Sequence, residues 1–195
     1  MSLKSRLIVL TVLMTNAMLL VADDVSPYQV KMFNAPQGEE FAFDNYRMNW
    51  TRMTGFEFSG LHWNQFITVY VRGGESVYQN NYLQYITWYE DPDEFEEPPK
   101  YQKYPINTVV LKENFQAKDG KPHAPLTVTA MIKRNSNFDP ENGNWEYLQF
   151  DPKGKIILRG KASDPTIQTQ CAHCHSHIAD RDYIFSQIFS ATDRE

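Results

Sequence analysis

The chain has 195 residues, 42% of them hydrophobic, and its 12 Phe, 11 Tyr and 4 Trp supply more core material than a disordered chain carries. Nineteen basic against 24 acidic residues give a net charge of −5 with no basic cluster, which argues against nucleic acid and anionic lipid as partners. The length suits one domain, and both cysteines fall in one five-residue stretch, so no long-range disulfide staples it.

Lys4 and Arg6 precede an apolar run over residues 7–21, broken only by Thr11, Thr15 and Asn16. A basic start followed by an apolar stretch too short for a comfortable membrane span reads as an export signal over residues 1–22, leaving a single domain over residues 23–195. The expected location is the periplasm or another exported compartment. Leu20 is bulky for a position two before a cleavage site, so a retained membrane anchor is the alternative. Without Lys4 and Arg6 the net charge becomes −7, which leaves docking to a basic redox partner protein open.

Residues 37–53 are read as a helix. Residues 65–71, Gln-Phe-Ile-Thr-Val-Tyr-Val, are rich in β-branched and aromatic types and stop at Gly73-Gly74, the pattern of a strand. Tyr78, Tyr82, Tyr85 and Tyr89 recur at helical spacing, which predicts an amphipathic helix over 76–88 whose tyrosines face the core. Residues 90–99 form an acidic, proline-broken loop, read as a solvated insertion. Strands are expected over 108–113 and over 126–133, where Leu126, Val128, Ala130 and Ile132 share one face and Thr127, Thr129 and Lys133 the other. Asp151-Pro152-Lys153-Gly154 joins strands 145–150 and 155–159 into a hairpin. Residues 162–170 read as loop, and 178–189 as a closing helix. The order predicts an α+β domain, an antiparallel β-sheet with flanking helices, with its chemistry near the C-terminal end.

That chemistry lies in Cys171-Ala172-His173-Cys174-His175, the c-type haem attachment pattern. Two thiols three positions apart reach the two vinyl groups on one porphyrin edge, and the next residue brings an imidazole to the iron. The reading is haem c, covalent at Cys171 and Cys174 and ligated to iron by His175. A structural zinc site at Cys171, Cys174, His175 and His177 lacks a second knuckle, the rest of the chain offering only His62 and His123. A thioredoxin-like pair requires a strand before the motif and a long helix starting at it.

The motif is late, and no methionine follows His175; Met32, Met48, Met53 and Met131 all precede it. His173 and His177 flank the proximal ligand too closely to reach the opposite haem face. The expectation is an open distal site that takes a small gaseous or nitrogen-oxide ligand.

Five pieces in order resemble the cytochrome P-460 family, which includes the cytochromes c′-beta: Thr68-Val69-Tyr70-Val71, Thr108-Val109-Val110-Leu111-Lys112-Glu113, Asn142-Gly143-Asn144-Trp145, Cys171 to His175, and Asp182-Tyr183-Ile184-Phe185-Ser186-Gln187. They span residues 66–189. The resemblance implies a mostly antiparallel sheet with flanking helices, commonly a homodimer, and a pentacoordinate haem. Some members oxidise hydroxylamine and carry a lysine joined to the porphyrin; others lack that bond and bind nitric oxide beneath an apolar cap. Lys112 matches the cross-linking lysine. In the same register the distal arginine falls near Ile67, so that polar group is missing, and Glu113 and Glu146 are the candidates for a distal carboxylate. The first reading is therefore an exported haem protein acting on small nitrogen oxides, by hydroxylamine oxidation or nitric oxide binding. The alternatives are a simple electron-transfer cytochrome and a non-catalytic haem-binding module.

Overall fold

The structure is a computed structural model that describes residues 32–60, 64–93 and 97–186. The expected export signal, His62 and the middle of the acidic loop lie outside the described residues.

Seven antiparallel strands make one sheet: β1 (Thr51–Arg52), β2 (Glu57–Ser59), β3 (Gln65–Arg72), β4 (Val109–Lys118), β5 (Lys121–Lys133), β6 (Trp145–Phe150) and β7 (Ile156–Lys161). The path is β1-β3-β4-β5-β6-β7, with β2 also paired to β3. This is the expected α+β class. The strands at 65–71, 108–113, 126–133, 145–150 and 155–159 are present, with β4 and β5 longer than expected because their pairing continues through two bulges to Lys118 and Lys121.

Gly73 closes β3 with φ 77°, and α3 (Glu75–Glu90) follows, the Gly73 amide donating to the Glu75 carboxylate at 2.9 Å. One stripe of α3 enters the core through Val77, Tyr78, Asn81 and Tyr82. The tyrosine stripe is core only at its N-terminal half, since Tyr89 is exposed. Asn81 exchanges two hydrogen bonds with the Gln102 backbone and pins the chain that leads into β4.

Three expectations are corrected. Residues 37–53 hold two single turns, α1 (Glu40–Phe43) and α2 (Tyr46–Asn49), not one helix. Asp44 is extended and Asn45 left-handed at φ 49°, a break that lets Phe43, Tyr46 and Trp50 all turn onto the sheet. Residues 162–170 are not a loop: α4 (Pro165–Ile167), a π turn (Gln168–Ala172) and α5 (His173–Ser176) form one helical run. The closing helix over 178–189 is absent among the described residues, where Ala179–Arg181 makes one 3₁₀ turn and Asp182 and Tyr183 are left-handed at φ 52° and 67°.

Strand alternation divides the core in two. One face of the sheet (Tyr70, Val109, Leu111, Phe115, Val128, Ala130, Ile132, Leu148, Phe150) packs under Phe33, Phe43, Tyr46 and Trp50. The other (Ile67, Val69, Val71, Met131, Trp145, Tyr147) packs under α3, the 165–176 run and Ile184. Gly160 on β7 allows that run its close approach: a Cβ there would stand 2.3 Å from the Asp164 carboxylate and 3.2 Å from Ile167.

Candidate functional site

Register sets the floor of the site. Val71, Val110, Met131, Tyr147 and Gly160 are successive cross-strand partners, and the next row reads Val69, Lys112, Thr129, Gln149 and Leu158. Ile67, Asn114 and Thr127 make a third. All project to one face, because the side-chain period of a strand is two. These rows cross the middle of the sheet, yet Val110, Lys112, Thr127, Thr129, Gln149 and Leu158 are only half-buried.

Above this floor the helical run brings in the motif. The π turn ends at Ala172, buried against the sheet, and such turns recur at functional sites. Cys171 and Cys174 fall one helical turn apart, Cys171 half-buried and Cys174 exposed, both as free thiols. Burial raises the Cys171 thiol above its ordinary value, partly offset by the Lys112 charge. A protonated, partly buried thiol lacks the activation of a thioredoxin-like nucleophile. It suits addition of S–H across a vinyl group, a step that needs no oxidant.

His175 is held on three sides. Its ring meets Tyr147 and Phe185 edge to face, at centroid distances of 5.8 and 5.4 Å. Its Nδ1 faces the Tyr183 carbonyl at 2.6 Å. A carbonyl only accepts, so Nδ1 carries the proton and Nε2 keeps its lone pair. Burial is the main cause that lowers the imidazole to about 4, against the Tyr183 hydrogen bond, with Lys112 lowering it further. His175 is thus neutral at neutral pH, the state a metal ligand requires.

Lys112 is not the outward-facing charge that a strand lysine usually is. It stands on the floor, near enough to Cys171 and His175 for its charge to act on both, and burial brings its ammonium down to about 7. Tyr147 is buried, and burial and then Cys171 push its phenol above the usual range. Its hydroxyl has no partner among the described residues. A half-buried sheet centre, two thiols, a neutral imidazole whose Nε2 has no hydrogen-bond partner among the described residues and an orphaned buried hydroxyl fit a covalently attached haem.

The family model for cytochrome P460 matches residues 64–186. The chain belongs to the cytochrome P460 family. It is accordingly a c-type haem protein, of a family that binds haem c with its iron, often acts on hydroxylamine and is typically exported. No curated protein matches the chain. No helix of the described residues is long and apolar enough to cross a membrane.

Other sequence candidates separate clearly. Ile67, in the register of the distal arginine, is buried on the Lys112 face, so an apolar side chain occupies that position. Glu113 and Glu146 are not distal carboxylates. Glu113 points to the opposite face and accepts from Tyr46 Oη at 2.5 Å and from Arg47 at 2.6 and 2.8 Å. Glu146 is bonded to Arg134 and Arg159. Met53 and Met131 lie in the site-face cluster, whereas Met32 and Met48 are exposed. His173 and His177 are exposed, their rings 5.1 Å apart. Among the described residues no group of three His, Cys, Asp or Glu is placed to hold a metal ion.

Sequence reasoning gave Tyr147 no role and quoted Asp182, Tyr183 and Phe185 only as part of a family piece, without the contact to His175. Tyr147 could have been found by extending the alternation of β5 across the hairpin. The Tyr183 carbonyl is a backbone group that no residue type announces.

Proposed function

We propose that the protein is an exported cytochrome P460-type enzyme that oxidises hydroxylamine. In this reading Cys171 and Cys174 carry the haem covalently, His175 is the proximal ligand and Lys112 bonds the porphyrin edge. The observation that carries it is the position of Lys112, on the same face as Cys171 and His175 and with its amine substantially neutral near pH 7. Only a neutral amine is a nucleophile, and the C–N bond it forms replaces a ring C–H, with two protons released and two electrons passed to a two-electron oxidant supplied during maturation. When bound, the haem would supply an iron able to take a small nitrogen ligand and to relay its electrons to a redox partner protein. The chain's own residues orient the imidazole through Tyr183 and exclude water with Ile67, Val69 and Leu158.

One observation favours a second reading. The apolar Ile67, where hydroxylamine-oxidising members carry arginine, removes a proton-handling group and suits nitric oxide binding in a dry pocket.

The two readings divide on one experiment. Protein matured with a cytochrome c assembly system is digested with protease and its haem peptides are sequenced by mass spectrometry. Hydroxylamine oxidation predicts the Lys112 and Cys171 peptides on one haem, a spectrum far from ordinary haem c, and turnover that Lys112→Ala abolishes. A free Lys112 peptide and an ordinary high-spin haem c spectrum would leave the gas-binding reading standing alone. Haem that washes out of the denatured protein would sink both.

A further inference from the structure

Asp182 and Tyr183 are consecutive non-glycine residues in the left-handed region, at φ 52° and 67°. Such a pair persists only where its surroundings over-determine it. Here the surroundings are a buried polar cluster outside the haem motif. Lys133 Nζ donates to both Asp182 carboxylate oxygens, at 2.7 and 2.6 Å, with both side chains nearly inaccessible. The Tyr104 amide donates to Asp182 Oδ2 at 2.8 Å. The Trp145 indole N–H donates to the Asp182 carbonyl at 2.8 Å, and the Lys133 ammonium stands 4.7 Å over that indole ring. On the other side the Tyr183 ring lies against Gly143, where a Cβ would come within 2.5 Å of it. The Tyr183 carbonyl that emerges from this turn receives the His175 Nδ1 proton at 2.6 Å.

We propose that the Lys133–Asp182 ion pair is a positioning device for the proximal imidazole, fixing the turn that aims the Tyr183 carbonyl at His175 Nδ1. It rests on the reading of His175 as the iron ligand. A buried ion pair is a poor source of stability compared with apolar packing, and its best-attested use is to specify one geometry among several. The geometry specified here is the acceptor that fixes the tautomer of His175 and makes Nε2 a stronger donor, as outer-shell partners of metal-bound histidines do. Lys133 and Asp182 touch neither the thiols nor the floor residue Lys112 in any hydrogen bond or ion pair found among the described residues, so both act through Tyr183.

The test uses the haem-loaded protein. In Lys133→Met the Tyr183 carbonyl should drift from Nδ1. The iron–histidine stretching band of the ferrous protein, read by resonance Raman, should then move to lower frequency and broaden, and the reduction potential should rise. Covalent haem content should stay at one per chain, and Lys133→Arg should bring both readouts back toward wild type. The control is Arg47→Met, which breaks the buried ion pair with Glu113 on the opposite face and should leave band and potential unmoved while lowering thermal stability. If Lys133→Met fails to accumulate, Gly143→Ala disturbs the same turn through the Tyr183 ring and should move the same two readouts. A folded Lys133→Met or Gly143→Ala protein with the wild-type band and potential overturns the proposal. A wild-type protein with no iron–histidine band would instead remove the ligand reading on which it stands.

Discussion

The two faces of this sheet share the same strands and differ in everything else. On β4, Leu111, Glu113 and Phe115 point one way and are fully sealed under an aromatic lid, whereas Val110 and Lys112 point the other way and are half-buried. The sealed face pairs its buried charge, although Thr68, opposite Glu113, keeps a hydroxyl with no partner among the described residues. Its buried carboxylate, Glu113, has a phenol and a guanidinium fork. The open face keeps an orphaned phenol, Tyr147, and a lysine with a depressed ammonium, both of which cost stability in the folded chain. One face holds the fold together, and the other gathers the groups that fit a covalently attached haem.

The sharpest way to break that division is to remove a charge from each side of β4. Glu113→Ala strands the Arg47 guanidinium and should cost about 3 kcal/mol of unfolding free energy in urea titrations. Its visible spectrum should match wild type. Lys112→Ala should do the reverse, altering the spectrum with little loss of stability. A spectral change in Glu113→Ala would show that the faces are coupled.

A second difference concerns pH. In the Cys171→Ala, Cys174→Ala chain, which carries no attached haem, Lys112 is an unreacted amine whose ammonium falls from 10.5 to about 7 on folding. Between those values the unfolded chain binds more protons than the folded one, so stability should rise with pH across roughly 7 to 10.5. The slope for one proton is at most about 1.4 kcal/mol per pH unit. The slope should drop in the same chain with Lys112→Met, leaving what Lys133, whose ammonium burial also lowers, contributes. A slope that does not drop would place the titrating group elsewhere.

A third prediction bears on the opening of the face. With Met32 and Met48 exposed and His173 and His177 on the outer side of the motif, the ferrous protein should be high-spin and bind carbon monoxide. A low-spin spectrum indifferent to carbon monoxide would point to Met53 or Met131, the two methionines in the site-face cluster, as a sixth ligand.

The sealed face was the easier one to read. The alternation of Val128, Ala130 and Ile132 is a period-two apolar signal, and the structure buries all three. Cys171, Cys174 and His175 stand out in the sequence because spacing carries the chemistry expected of them, and the structure sets all three on one helical run. The failures fall where long-range contacts override local preference. Residues 178–186 have helical character, but Lys133 on β5 captures the Asp182 side chain, Trp145 captures its carbonyl and His175 captures the next one, so the helix stops after one turn. The helix expected over 37–53 breaks for a similar reason, because Phe43, Tyr46 and Trp50 meet the sheet only if the chain turns at Asn45. Lys112 was ambiguous for a third reason: alternation assigns a residue to a face without revealing which face is open.

Tyr147 offers the smallest and most discriminating contrast. In the haem-free chain its hydroxyl is buried without a partner among the described residues, and such a group costs about 1–3 kcal/mol in desolvation. Tyr147→Phe should therefore stabilise the Cys171→Ala, Cys174→Ala chain, by about 1 kcal/mol once the loss of a snug contact is allowed for. In the haem-loaded protein the same substitution should destabilise by a similar amount, because the phenol lies near enough to Cys171 to feel its charge, with its ring against His175, and would there donate to the bound group. Opposite signs in paired thermal melts would mean that the orphaned hydroxyl belongs to the haem. Equal signs would assign it to packing, and the open face would then owe its shape to the thiols, the imidazole and Lys112 alone.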